Sequence, residues 1–201
     1  MINLREVQYF NRYFTSVEYS KNYADRIKKS NVFLSLVKLP FIALYMCLTN
    51  YKVSLWFFEK GKCIFFVQSI NNYNTIAGVY KNTKGSILLS TDQRLGVNSY
   101  ITPIGFAYLL SLFFIPLSLY HLLLSKNFYK LSAKSHFDSY LKTYGLYYFY
   151  ELYFLFIRPK SIVLTNDHGR DHLIISEICR KKNIILFFLP HGSFKGVPSQ
   201  D

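Results

Sequence analysis

Apolar residues at Leu4, Val7, Phe10, Tyr13, Phe14 and Val17 recur at helical spacing, and Lys28 and Lys29 follow where cations complement a helix dipole. The first thirty residues therefore predict an amphipathic helix. From Asn31 to Phe58 the chain is apolar but interrupted by Lys38, Pro40 and Lys52, which predicts a short helix and then a strand near Val53 to Phe58. The turn Glu59-Lys60-Gly61-Lys62 closes it. Two cleaner units follow. Cys63 to Val67 is a short apolar run, SINNYNTIAGVYKNTKG is polar with helical spacing, and Ser86 to Ser90 is apolar again. The same strand, helix, strand order returns as Ser161 to Thr165, Gly169 to Lys182 and Ile184 to Leu189. Strands joined by crossover helices predict an α/β fold, a Rossmann-like parallel sheet with flanking helices on both faces.

The segment between the units has a different pattern. Leu95 to Ser125 contains no Asp, Glu, Lys or Arg, and ITPIGFAYLLSLFFIPLSLYHLLLS is long enough for a membrane span of ~20 residues. A true span at 104–124 would make this an integral membrane protein, with its two strand pairs on opposite sides of the bilayer. One sheet does not form that way. Pro103 and Pro116 favour a broken or re-entrant helix pair, and Lys126, Lys130 and Lys134 follow on one helical face. Together with the aromatic run YGLYYFYELYFLF, Tyr144 to Phe156, this predicts a long apolar helical insertion over 95–158 within a single domain of 1–201. Two settings suit such an insertion: a dip into one leaflet with its lysines on anionic lipid, or burial in an unusually apolar core.

Composition narrows the partners. With 51% hydrophobic and only 17% charged residues the chain has ample material for a packed core, which excludes disorder as its main state. A formal net charge of +13 calls for an anionic partner. The lysines are dispersed and no RRM, KH or helix-turn-helix signature appears, so nucleic acid ranks below an anionic membrane surface. Cys47, Cys63 and Cys179 are too few and too scattered for a disulfide framework or a zinc site, which fits a reducing compartment. The N-terminus lacks the apolar core and cleavage site of a secretory signal. The expected location is cytoplasmic, peripheral on the inner face of the cell membrane.

Ligands of open α/β sheets gather at the carboxyl ends of the strands, so the residues that follow each strand carry the candidate chemistry. These are Gln68 to Asn72, Thr91 to Arg94, Asn166 to Arg170 and Pro190 to Ser193. His191 follows an apolar strand and precedes a glycine that lets backbone approach a ligand, which suits an imidazole accepting a proton from an attacking hydroxyl. A loop histidine bonded to neighbouring backbone is the plainer alternative. Asp167 can cap the next helix or orient a hydroxyl. His168 and His172, four apart, could with Asp167 and His191 surround a metal in principle, but no supporting pattern is legible and no metal is assigned. Arg170 and Lys195 are candidates for phosphate near helix N-termini, or are simply solvated. The chain has no G-x-x-x-x-G-K-[ST], G-x-G-x-x-G, G-x-S-x-G or H-E-x-x-H motif, which removes the main support for kinase, dehydrogenase, α/β-hydrolase and zincin readings.

The stretch SIVLTNDHGRDHLIISEICRKKNIILFFLPHGSFKGVPSQD resembles the end of the N-terminal domain in bacterial surface-polysaccharide glycosyltransferases of the two-Rossmann (GT-B) type. It is similar both to polysialyltransferase-like capsule enzymes and to the CDP-glycerol glycerophosphotransferases of teichoic acid synthesis. In the latter, His-Gly, a small hydroxyl residue, a lysine and a later aspartate recur, and His191, Gly192, Ser193, Lys195 and Asp201 keep that order. FFVQSINNYNTIAGVYK also looks like the first strand and helix of such domains. The resemblance implies that His191 is the catalytic base on an acceptor hydroxyl. It places Asn166, Asp167, His168, Arg170, Gly192, Ser193, Lys195, Asn71 and Asn72 along the cleft for a lipid-linked or polymeric saccharide acceptor. A nucleotide-activated donor would bind a C-terminal domain that these residues do not include, so the chain holds no cofactor and is expected to be inactive alone. The alternative is a non-catalytic, membrane-associated binding or scaffold protein.

Overall fold

The computed structural model describes residues 32–49, 60–91, 100–102, 104–124, 137–165 and 170–189. Its elements in chain order are α1 (Val32–Thr49), β1 (Cys63–Val67), α2 (Ile70–Asn82), β2 (Ser86–Ser90), β3 (Tyr100–Ile101), α3 (Ile104–Leu112), α4 (Ile115–Leu124), α5 (Phe137–Ile157), β4 (Ser161–Leu164), α6 (Arg170–Lys182) and β5 (Ile185–Phe188). The strands form one parallel sheet in the order β3-β2-β1-β4-β5: four main strands, with the two-residue β3 added at one edge. Both predicted strand, helix, strand units are present, and they join through β1 and β4, where Ile64 lies beside Ile162 and Phe65 beside Val163.

Alternation along the strands decides which helices lie where. Phe65, Val67, Leu88 and Val163 point to one face and pack with Ile76 of α2. Ile64, Phe66, Leu89, Ile162 and Leu164 point to the other and pack with α5 and α6. The aromatic run of α5 is core: Tyr144, Tyr147 and Tyr150 are fully buried, and the Tyr147 hydroxyl accepts a 2.6 Å hydrogen bond from Lys181 Nζ. α1 and α3 lie outside α5, and Gly145 of α5 sits against Ala107 and Ser111 of α3. Turns are set by backbone chemistry at two glycines, Gly61 and Gly85, with φ of +70° and +69° just before β1 and β2. Asn183, at φ +54°, ends α6 in the left-handed conformation that asparagine tolerates.

Three expectations need correction. No long apolar helical insertion is found among the described residues: 104–124 is a broken helix pair, as Pro116 favoured, of nine and ten residues, and α5 lies in the core, the second of the two settings expected for this stretch. The break has a local cause. Pro116 lacks an N–H and its ring would clash with the carbonyl of Leu112, where α3 stops. Tighter turns bridge the gap, with Phe113 N donating to Leu110 O and Phe114 N to Ser111 O. A span at 104–124 is therefore not formed; each half reaches only about 15 Å of the ~30 Å required. Among the described residues no helix is long and apolar enough to cross a membrane. Last, the sheet is not covered throughout: all four residues of β5 are exposed. The predicted N-terminal helix, the strand near 53–58 and Lys126, Lys130 and Lys134 lie outside the described residues.

Candidate functional site at the carboxyl edge of the sheet

From β1 the chain runs outward to β2 and β3, then returns to β4 on the other side of β1 and continues to β5. The connections that leave β1 and β4 thus diverge, one over each face. This is the topological switch point where open parallel sheets form a crevice at their carboxyl edge. Both connections lead straight into a 13-residue helix, so two helix N-termini flank the same place.

On the β1 side, Ser69 caps α2. Its Oγ accepts from Asn72 N at 3.2 Å and donates to Asn72 Oδ1 at 2.8 Å. Asn72 is consequently buried and fixed, whereas Asn71 is exposed. On the β4 side, Thr165 ends the strand with its hydroxyl buried and without a hydrogen-bond partner among the described residues. Arg170 opens α6, and Asp171 follows in its first turn. A direct link joins the two sides: Gln68 Nε2 donates to Asp171 Oδ2 at 2.7 Å. Tyr150 of α5 reaches the other oxygen, Oδ1, from below at 3.4 Å.

Desolvation pushes the Asp171 carboxyl above its ordinary range, against the pull of the Arg170 guanidinium and of the hydrogen bonds from Tyr150 and Gln68. Burial likewise drives Tyr150 well above the usual phenol value, reinforced by the neighbouring Asp171 charge. Tyr150 is thus a fixed donor, and Asp171 is a carboxylate that folding makes more basic. A folded-state value above the unfolded one means that the native state holds the proton more tightly, so this group's contribution is full below the ordinary pKa of 3.8 and is lost as pH rises. Asp171→Asn lacks that loss. Its stability relative to the wild type is expected to increase from pH 3.5 to pH 7, as read by paired urea melts; a constant difference would contradict the assignment.

Of the residues singled out from sequence, Asn72 and Arg170 come to this edge, on the two sides of the switch point, and Asn71 lies beside Asn72 but faces outward. His191, Gly192, Ser193, Lys195, Asn166, Asp167 and His168 lie outside the described residues. His172 is fully buried, edge-on to Phe66 at 5.2 Å, a core position rather than one lining an open crevice. Among the described residues no three His, Cys, Asp or Glu side chains gather into a metal site. Sequence reasoning included Gln68 among the strand-end candidates without giving it a role, and did not assign Tyr150, Thr165 or Asp171. Gln68 and Thr165 carried a usable signal, being polar at the ends of apolar strands. Asp171 and Tyr150 did not, since the Gln68 contact spans 103 residues of sequence.

The chain matches no protein-family model, no curated protein and no solved structure.

Proposed function

We propose that this chain is the acceptor-side domain of a membrane-associated glycosyltransferase or glycerophosphotransferase of surface-polysaccharide synthesis. One observation supports the reading: at the switch point Gln68 bonds Asp171, beside two helix N-termini and a buried Thr165 hydroxyl that has no hydrogen-bond partner among the described residues. Buried hydroxyl, amide and carboxylate groups suit a polyhydroxylated acceptor, which needs donors and acceptors fixed in place. β5 runs parallel to β4 and ends at Phe188, three residues before His191 in the sequence.

In the proposed reaction an acceptor hydroxyl oxygen attacks the donor carbon, or the donor phosphorus for a glycerophosphotransferase. The nucleotide leaves with the bonding pair, and the hydroxyl proton passes to the His191 imidazole. Asn166, Asp167, Arg170, Ser193 and Lys195 hold the acceptor, and the nucleotide-activated donor is bound by a second domain. The location is the inner face of the cell membrane.

The acceptor role is tested by saturation-transfer NMR with glycerol phosphate oligomers and sialic acid oligomers as probes. At least one is expected to bind with a Kd in the millimolar range, and Gln68→Leu should weaken it roughly tenfold, the loss of one charge-assisted contact. Binding of neither probe, or equal binding by the variant, would overturn the reading.

A further inference from the structure

Cations gather at the amino edge of the sheet, opposite the candidate site. Cys63 lies beside both Ser86 and Ser161, so the residues that precede these strands, Lys62, Gly85 and Lys160, share one level. Lys160 N donates to Lys62 O at 3.0 Å. A Cβ at Gly85 would stand 3.8 Å from Lys62 Nζ, which puts that ammonium beside the turn that carries Lys84. With neighbouring strands about 4.8 Å apart, Lys84, Lys62 and Lys160 form a row across the middle of the sheet. Helix ends widen the row: Lys81 lies in the last turn of α2 over one sheet face, while Lys182 ends α6 and Arg158 follows α5 over the other. The six cations thus spread in two dimensions rather than along a line.

Their charges are uncommitted. None of the six makes a side-chain hydrogen bond or an ion pair among the described residues, unlike Arg180 on Glu177 and Lys181 on Tyr147. Of the described carboxylates, Asp171 lies at the opposite edge, Glu177 is held by Arg180 and Glu151 precedes the end of α5 by six residues; Glu59 lies outside the described residues. Cations in the last turn of a helix complement its dipole, which accounts for Lys81 and Lys182. It does not account for Lys62, Lys84 and Lys160, which precede strands. Nor does it account for arginine at 158, where φ is +44°, the left-handed conformation that favours glycine. Layout and residue type identify the anion. A linear polyanion such as a nucleic acid strand would engage one row and leave the helix ends unmet. A second copy would set like charges together, and lysine, five of these six, is depleted at protein interfaces. A planar surface of anionic headgroups meets all six at once, and basic clusters of this size are drawn to such surfaces.

We infer that the amino edge of the sheet, with its two rows of flanking helix ends, is an electrostatic docking surface for the headgroups of an anionic lipid bilayer, so that the carboxyl edge is turned away from the membrane. This rests on the membrane association proposed above and on none of its chemistry.

The test is co-sedimentation of the full chain, at low salt, with sucrose-loaded vesicles of phosphatidylcholine alone or of equimolar phosphatidylcholine and phosphatidylglycerol. Wild type is expected to partition to the anionic vesicles and little to the neutral ones, and to lose most of that binding when salt is raised to about 0.15 M. The double variant Lys84→Gln, Lys160→Gln should lose roughly thirtyfold in partitioning, the effect of removing two cations from an anionic surface. Lys38→Gln, Lys142→Gln makes the same change in net charge on α1 and α5, away from this edge, and should lose less than about threefold. Arg158→Gly guards against misfolding: freed of its left-handed strain, it should melt no lower than the wild type yet partition roughly fivefold less. Three outcomes overturn the inference: a loss in Lys84→Gln, Lys160→Gln no greater than in the other double variant, which leaves membrane association standing through another surface; no wild-type binding to either vesicle, which removes both; and capture of the wild type by single-stranded oligodeoxythymidine in preference to anionic vesicles, abolished by Lys84→Gln, Lys160→Gln, which assigns the edge to nucleic acid.

Discussion

Gly145→Val is expected to leave the chain without its native fold, recovered as aggregate or with no cooperative thermal transition, while its composition is otherwise untouched. A Cβ at 145 would stand within the atomic radii of Ala107 O and Ser111 Oγ and 2.9 Å from Ser111 N. Two of those three atoms are helix backbone and cannot swing aside. The third already donates to Ala107 O at 2.8 Å, which holds it in the path. Overpacking ordinarily costs about 1–3 kcal/mol because neighbouring side chains yield, and here the whole of α3 would have to move from α5. That joint supports most of the outer layer, since α1 rests on α3. Against a total stability of about 5–15 kcal/mol, even Gly145→Ala should lower the melting temperature by roughly 10 °C or more. Gly78 is the internal control. It lies in α2 with nothing within 4 Å of an added Cβ, so Gly78→Ala should stabilise by about 0.5–1 kcal/mol. Equal melting curves for the two alanine variants would contradict this account of the α3–α5 joint.

The contrast between those glycines also marks where the sequence is readable. Strands β1, β2, β4 and β5 were legible to within a residue, because apolar runs of four or five bounded by polar residues admit few other readings in a chain with two strand, helix, strand units. Their parallel pairing followed from the crossover helices. β3 was not legible, since two residues carry no period. The stretch 104–157 was legible as apolar and, at Pro116, as a broken helix pair, but its packing was not. Helices that are hydrophobic on every side give no sign of which face meets which neighbour, and the small residues Gly105, Ala107, Ser111 and Gly145 that set the close contacts lie among bulky ones. The exposed β5 has the same origin: ILFF reads as a buried strand on composition, and only the sheet order makes it an edge. At the candidate site the strand-end rule pointed to the edge where Gln68 meets Asp171. The Gln68–Asp171–Tyr150 link depends on tertiary approach, so no local pattern announced it.

Under the proposed reaction, His191→Ala is expected to lower the rate of sugar or glycerol phosphate transfer by roughly 10²–10⁴-fold, the usual contribution of a positioned general base. The reason is the order of events at an acceptor hydroxyl, which is a poor nucleophile until its proton has somewhere to go. An imidazole is suited to the task because its ordinary pKa, near 6.5, leaves it unprotonated and receptive at neutral pH. The loss should fall on kcat, with the acceptor KM changed by less than about threefold, because the residues proposed to hold the acceptor remain. Gln68→Leu should do the reverse, raising KM and sparing kcat, since the Gln68–Asp171 bond ties the two sides of the switch point together rather than moving a proton. Running both variants across pH separates the roles further: the wild type and Gln68→Leu should share an acid limb set by the imidazole, and His191→Ala should lack it. Unchanged turnover in His191→Ala, or an acid limb that survives the substitution, would remove the imidazole from the mechanism. The proton would then have to leave through another group, and Asp171, which folding makes more basic and which lies at the carboxyl edge of the sheet, is the one the geometry offers next.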